Sequence, residues 1–169
     1  RLSVSGSKDS PESTSGTGGA RDTEFRMKKI SKIIYGLDLN HFSKKTLDYA
    51  VERAKSNDAQ LIIIYAHQMI PHIVSVSLPK NVIEESVRGF KKQLVDLCQE
   101  NITESIKWEA VVLEEKTVYE AIINAAKKLH ADLIILSAHD RHELDEILLG
   151  HNTEKIVRYA PCSVFVSRD

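Results

Sequence analysis

An alternation between short apolar runs and longer amphipathic segments begins after Met27, and it constrains the fold more than any other feature. The run Leu61 to Ala66 (LIIIYA) has no charged residue, which is typical of a strand covered by helices on both faces. The segments between such runs have a helical period, and strands that alternate with helices form βαβ units with parallel strands. The sequence therefore predicts one α/β domain from about Ile30 onward, built on an open parallel sheet with helices on both faces.

Five strands and four helices follow from this pattern. Each predicted helix begins at a side chain that can accept a bond from a backbone N–H, and Thr117 with Glu120 makes a capping box. Residues 69–79 have no clear period and include Pro71 and Pro79, so we expect a long loop there, and Leu144 to Leu149 could form a short helical turn. The predicted strands are Ile33 to Leu37, Leu61 to Ala66, Trp108 to Leu113, Leu133 to Leu136 and Val164 to Val166, and the predicted helix starts are Ser43, Asn81, Thr117 and Thr153.

Composition excludes several classes of partner. The chain has 23 Lys and Arg against 24 Asp and Glu, so no strong field would recruit nucleic acid or an anionic membrane. Cys98 and Cys162 make neither a metal-ligand spacing nor a disulfide framework, which favours a reducing compartment. No apolar run approaches the ~18 residues of a membrane span, and the first residues given lack the basic-then-apolar layout expected of a secretory signal. We therefore expect a cytoplasmic protein with no nucleic-acid or membrane partner.

The first 26 residues differ in composition from the rest of the chain. They are rich in Ser, Gly, Thr and charge, with few apolar side chains to offset the entropy of ordering, so we expect disorder. Met27 followed by Lys28 looks like a native start behind a vector-derived leader, and a genuine flexible tail is the alternative. The predicted domain then covers residues 27–169.

Two segments carry the information about a ligand site. In an open parallel sheet, ligands bind outside the carboxyl ends of the strands, where neighbouring crossovers leave toward opposite faces. Gly36 to Asn40 follows the first predicted strand, and Ser137 to Thr153 (SAHDRHELDEILLGHNT) follows the fourth. We expect any ligand site to lie between these segments.

At these segments the chain resembles the universal stress protein family, and the resemblance extends from Met27 to Asp169. It depends on Asp38 after the first strand, on HADLIIL at residues 130–136 and on ILLGHNTEKIVRYAPCSVFV at residues 147–166. The resemblance implies strand order 3-2-1-4-5, the adenine nucleotide alpha hydrolase-like arrangement. It also implies a homodimer joined at the fifth strand, through Val164, Phe165 and Val166. An apolar terminal edge strand that pairs with its own copy avoids open-ended aggregation.

The resemblance also implies a nucleotide site that this chain retains only in part. Nucleotide-binding members have Gly, two residues, Gly, nine residues, Gly, then Ser or Thr after the fourth strand. Here Ser137 and Asp140 replace the first two glycines, Gly150 remains, and His151 and Asn152 follow it. Asp38 would lie beside the nucleotide in such members. Alternatively, it caps the strand end, and the sequence leaves both roles open.

Asp140 is the substitution expected to weaken phosphate binding most. A carboxylate ~4 Å from a phosphate oxygen, at an effective dielectric constant of ~20, is repelled by about 4 kcal/mol per pair of unit charges. A Mg²⁺ ion bridging Asp140 and the phosphates would reverse the sign, because Mg²⁺ combines carboxylates with phosphate oxygens.

The remaining reactive side chains give weaker indications. His139 and His142 could ligate a metal only on a helix, and with Arg141 and His151 they could make a pH-dependent anion site, although solvated loop residues are commoner. Cys98 is expected in the core and Cys162 under the sheet edge, and Trp108 is expected in core or interface. The chain has neither a Gly-x-Ser-x-Gly elbow nor a P-loop. No catalytic residue and no metal ligand is therefore predicted.

The sequence favours a non-enzymatic, homodimeric stress-response module with a degenerate nucleotide-binding loop and no expected cofactor. The alternative is a member that binds ATP or AMP through Mg-bridged phosphates, with slow ATP hydrolysis. A third interpretation is a domain that regulates a larger transporter or kinase by contact, which leaves an unknown protein partner open.

Overall fold

The structure, a computed structural model, describes residues 29–68, 80–138 and 150–168. It contains a five-stranded, all-parallel sheet with the order β3-β2-β1-β4-β5 and helices on both faces. The predicted leader, the loop at 69–79 and the turn at 144–149 lie outside the described residues. The elements are β1 (Lys32–Leu37), α1 (Lys44–Asn57), β2 (Gln60–Gln68), α2 (Lys80–Asn101), β3 (Trp108–Glu115), α3 (Val118–Leu129), β4 (Leu133–Ala138), α4 (His151–Tyr159) and β5 (Ser163–Arg168).

The fold class and the strand order predicted above are both confirmed. The strands extend beyond their apolar runs, most clearly at the carboxyl end of β2. There His67 and Gln68 pair with Glu114 and Glu115 of β3. Pairing continues past the buried part because backbone hydrogen bonds do not require apolar side chains.

The apolar run of β2 supplies two separate cores. Leu61, Ile63 and Tyr65 pack on the face covered by α1 and α2. Ile62, Ile64 and Ala66 point to the opposite face, against α3 and α4. Because successive side chains of a strand alternate between faces, a strand in the middle of this sheet must be apolar at every position.

Capping explains where two of the helices begin. The Ser43 hydroxyl accepts a bond from the Thr46 amide at 3.1 Å, and both side chains are buried at the start of α1. Thr117 caps α3, where its hydroxyl accepts from the Glu120 amide at 3.3 Å and donates to that residue's carboxylate at 2.8 Å. These two predicted caps are confirmed.

The predicted starts of the other two helices are wrong by a few residues. α4 begins at His151, because the extended backbone of Gly150 provides the N-cap without any side-chain acceptor. Thr153 therefore lies inside the helix. α2 already includes Lys80, so Asn81 lies in its first turn and does not cap it.

A single carboxylate joins β1 and β4 at the amino edge of the sheet. Asp132 Oδ2 accepts bonds from the Ser31 amide at 2.9 Å, the Ser31 hydroxyl at 3.0 Å and the Lys32 amide at 3.1 Å. The Asp132 amide in turn donates to the Lys32 carbonyl at 2.9 Å. This cluster aligns the two strands whose carboxyl ends carry the predicted site.

Gly36 allows α3 and β4 to approach β1 closely. A Cβ atom built on Gly36 would lie 2.7 Å from Leu136 Cδ2 and 3.6 Å from Ile122 Cδ1. Both neighbours are buried, so they have little room to move. Within the residues that the structure describes, no helix is long and apolar enough to cross a membrane.

We expect Gly36→Ala to lower the free energy of unfolding by about 1 to 3 kcal/mol, because the added methyl group overpacks the second core. The matched control is Gly89→Ala in α2, where a Cβ atom would meet nothing within 4 Å. That control should raise stability by about 0.5 to 1 kcal/mol, since alanine favours the helix. Urea unfolding of both variants measures the difference. Equal stability of the two variants would contradict the close packing at Gly36.

Candidate functional site

A cleft of about 430 Å³ opens at the carboxyl ends of β1, β2 and β4, beside the start of α4. Its volume falls in the range of about 300 to 1,000 Å³ that is usual for small-molecule sites. Five of the six sequence-predicted positions line it, and Asp140 lies outside the described residues. The five are Asp38, Ser137, Gly150, His151 and Asn152.

Asp38 is held by its own loop and remains accessible. Its Oδ1 atom accepts a bond from the Asn40 amide at 2.9 Å, which forms an Asx turn at the end of β1. Its Oδ2 atom lies 3.2 Å from Nδ1 of His41. The side chain is still 42% exposed, so the capping role is observed and a ligand can still reach the carboxylate.

The end of β2 contributes a wall that the sequence analysis missed. Tyr65, His67 and Gln68 line the cleft, and the rings of Tyr65 and His67 pack beside Phe90 of α2. Burial, and secondly the charge of Asp38, raise the pKa of Tyr65 above its ordinary value. Tyr65 is therefore an uncharged phenol at neutral pH.

His67 carries an unsatisfied polar atom within this wall. Its Nε2 atom is shielded from solvent and has no hydrogen-bond partner among the residues described by the structure. Its ring centroid lies 5.3 Å from that of Phe90, so the imidazole is packed as an aromatic ring. The signal available in the sequence was the polar pair His67 and Gln68 directly after an apolar strand.

Gly150 differs from Gly36 in its surroundings. Its φ is −54°, and a Cβ atom would meet nothing within 4 Å among the residues that the structure describes. The three residues that follow it line the cleft, and the first amides of a helix lack intrahelical partners. This end of the cleft can therefore accept an anion close to the backbone.

Side chains suited to metal binding do not cluster in the described part of the chain. No group of His, Cys, Asp or Glu side chains in residues 29–68, 80–138 and 150–168 could hold a metal ion. His139, Arg141 and His142, considered above as ligands or as an anion site, fall outside those ranges.

Both cysteines and the tryptophan contact the cores, as the sequence indicated. Cys98 is completely buried, and burial raises the pKa of its thiol to about 11. The thiol is therefore protonated at neutral pH and is a poor nucleophile. Cys162 is partly buried against the second core, and Trp108 packs against the first.

The strand expected at a dimer interface is tied into its own subunit. β5 is the edge of the sheet and pairs with β4. Phe165 stacks on Tyr49 of α1 at a centroid distance of 4.2 Å, and Val164 packs against the second core. Lys45 Nζ donates to the Arg168 carbonyl at 2.9 Å. Phe165 therefore packs against α1 of its own chain while remaining only partly buried.

Comparisons with known proteins agree with this architecture. A family model described as the universal stress protein family matches residues 29–168. The chain is 32% identical over 136 residues to universal stress protein A homolog 1 from Coxiella burnetii. That alignment covers 78% of this chain and 92% of the relative.

Solved structures show the same fold. Universal stress protein UspA from Lactobacillus plantarum superposes with a TM-score of 0.66 at 21% identity, covering 83% of this chain and 99% of the other. The universal stress protein from Archaeoglobus fulgidus in complex with dAMP gives a TM-score of 0.58 at 15% identity, covering 82% and 98%.

Proposed function

The chain belongs to the universal stress protein family, and from that premise we propose that it is a non-enzymatic regulatory module that acts as a homodimer. Its cleft takes an adenine mononucleotide and lacks the phosphate cradle that tight triphosphate binding needs. The protein acts in the cytoplasm, and it exerts its regulatory effect through contact with a protein partner.

Gly150 is the observation that carries the ligand proposal. No described neighbour requires a glycine at this position, whereas a ligand that approaches the backbone closely would require one. The residue lies in the cleft at the N-cap of α4, where a capping side chain would be favourable and is missing. Ser, Asn or Asp at this position would stabilise the helix by a few tenths of a kcal/mol relative to glycine.

A mononucleotide matches the size and polarity of the cleft. Among the lining groups, Asp38 presents an acceptor, which suits the hydroxyl or amino groups of a nucleoside, and the start of α4 presents backbone donors. The Archaeoglobus fulgidus relative of the same fold binds dAMP, which supports an adenine nucleotide as the ligand class.

The same residues argue against tight ATP binding. Ser137 lines the cleft where nucleotide-binding members have a glycine, so its Cβ atom occupies space beside the phosphates. Asp140 adds a negative charge to the following loop. Helix-terminus attraction is usually worth only ~0.3 to 1 kcal/mol, so it does not offset a carboxylate close to a polyphosphate.

Gly150→Asp and Gly150→Asn test the ligand proposal as a pair. Both residues are good N-caps, so both variants should raise the melting temperature slightly, and they differ only in charge. We expect both to weaken AMP binding sterically, and Gly150→Asp to weaken it about tenfold more because its carboxylate repels the phosphate. Calorimetric titration with AMP provides the measurement. Unchanged AMP affinity in Gly150→Asp would refute a phosphate at this end of the cleft.

Wild-type protein should bind ATP more weakly than the micromolar range, and a Ser137→Gly, Asp140→Gly double variant should recover binding. The reason is the removal of two side chains, one of them negatively charged, from the phosphate region. Titrations with ATP are made with and without Mg²⁺. Tight wild-type binding in both conditions would contradict the proposal, and tight binding only with Mg²⁺ would favour the bridging-ion alternative.

The homodimer proposal rests on the exposed edge of β5. An edge strand with apolar side chains is prone to open-ended association, and pairing with its own copy about a two-fold axis closes it. Phe165 is a poor probe of this interface, because a polar residue there would also disturb the stack on Tyr49. Val166 is half-buried and lies outside both core clusters, so it is the better position.

We expect Val166→Lys to convert the dimer to a monomer, because like charges would face each other across the two-fold axis. The matched control is Val82→Lys, at an exposed valine of α2 that should leave the dimer intact. Light scattering at about 100 µM protein distinguishes the two states. A wild-type monomer at that concentration would remove the dimer from the proposal.

A further inference from the structure

The last helix lies beside the edge strand β5. α4 contacts β5, and its buried Ile156 belongs to the second core, against which Val164 of β5 also packs. On its other side α4 packs against α3, where Lys155 Nζ lies 5.9 Å from the centre of the Tyr119 ring. Successive residues of a helix are turned by about 100° around its axis, so Val157 faces away from α3 and toward the edge.

Val157 is an apolar side chain that its own chain covers poorly. It is 46% exposed, although the residue before it, Ile156, is only 2% exposed. Tyr159 of the same helix is also exposed, but its ring lies 6.0 Å from Lys155 Nζ. A partner that continues the sheet past β5 would remove Val157 from water, which is favourable.

The two edges of the sheet differ in charge, and the difference favours a second copy at β5. β3 has the exposed side chains Glu109 and Glu114, and charges on an edge strand oppose pairing with another strand. β5 has no charged residue from Ser163 to Ser167. An identical strand related by a two-fold axis would cover both uncharged edges at once.

The charges on the outer side of α4 match an antiparallel copy of the same helix. Arg158 Nη2 and Glu154 Oε1 lie 3.1 Å apart, and their side chains are 63% and 51% exposed. A two-fold axis reverses the order of residues, so it would place Glu154 of each copy opposite the partner's Arg158, with Val157 between the two pairs. Opposite charges in this arrangement favour one register of association.

The expected spacing of the two helices suits direct contact. Neighbouring strands lie about 4.8 Å apart, so a helix above the last two strands is about 5 Å from a two-fold axis beside β5. Two such helices would then be about 10 Å apart, close to the separation at which helices pack.

We propose that α4 forms a second layer of the homodimer interface, in which Val157 packs on its own copy and Glu154 pairs with the partner's Arg158. This inference rests on the proposed homodimer and adds the residues that fix its register. The ion pair within each helix is then shared between the two helices.

Two charge reversals test the pairing across the two-fold axis. Glu154→Arg leaves only cations at the pair and Arg158→Glu leaves only anions, so each variant alone should dimerise about tenfold more weakly than wild type. An equimolar mixture should form a heterodimer with near wild-type affinity, because the cations of one chain meet the anions of the other. Sedimentation equilibrium gives the dissociation constants, and native mass spectrometry identifies the heterodimer by its mass.

The matched control is the ion pair of Lys92 and Asp96 in α2, which has the same four-residue spacing and an N–O distance of 3.3 Å. Lys92→Glu and Asp96→Lys should dimerise as wild type does, both alone and mixed. Each of the four variants breaks one exposed intrahelical pair, so a loss of helix stability alone would affect both sets equally.

Neutral variants keep the proposal testable if a reversed charge disturbs the fold, which circular dichroism detects. Glu154→Gln and Arg158→Gln should each weaken dimerisation about threefold, because the attraction is lost without any repulsion. Wild-type dimerisation of both neutral variants would overturn the pairing.

The outcomes separate the two proposals. If wild type is monomeric at about 100 µM, the proposed homodimer fails, and the α4 layer fails with it. If wild type is dimeric but the charge reversals dimerise as well as wild type, only the α4 layer is overturned. The α4 layer is overturned in the same way if the mixture of the two reversals gives no heterodimer.

Discussion

The parallel pairing of β1 with β2 on one side and β4 on the other is the constraint on which the rest of the structure depends. A strand in the middle of a parallel sheet must have both faces covered, so crossovers to its two neighbours run over opposite faces. The gap between those crossovers is the cleft. The three amide and hydroxyl bonds to Asp132 fix the amino ends of β1 and β4, and Gly36 lets β4 and α3 close on β1 beneath the cleft floor.

Much of this was predictable because it depends on local chemistry. The run from Leu61 to Ala66 could only be a strand with two apolar faces, and the hydroxyls of Ser43 and Thr117 identified two helix starts. In open parallel sheets, ligands bind at the carboxyl ends of the strands, so Asp38 after β1 and Ser137 in β4 could be placed together in advance. The strand order came from family resemblance, since apolar runs do not specify their neighbours.

What the sequence did not reveal depends on distant contacts or on backbone conformation. The wall made by Tyr65, His67 and Phe90 forms because α2 packs over the end of β2, and no local sequence pattern predicts that packing. α4 starts before Thr153 because a glycine can serve as N-cap without a side-chain bond. The stack of Phe165 on Tyr49 also joins two residues more than a hundred positions apart in the chain, so no local pattern indicated it.

The stack of Phe165 on Tyr49, with the bond from Lys45 to the Arg168 carbonyl, also bears on the kinetics of assembly. These contacts hold the edge strand in its extended form within a single subunit. If the proposed homodimer forms at this edge, an incoming copy meets a strand that is already extended, and little conformational entropy remains to be lost when the two strands pair.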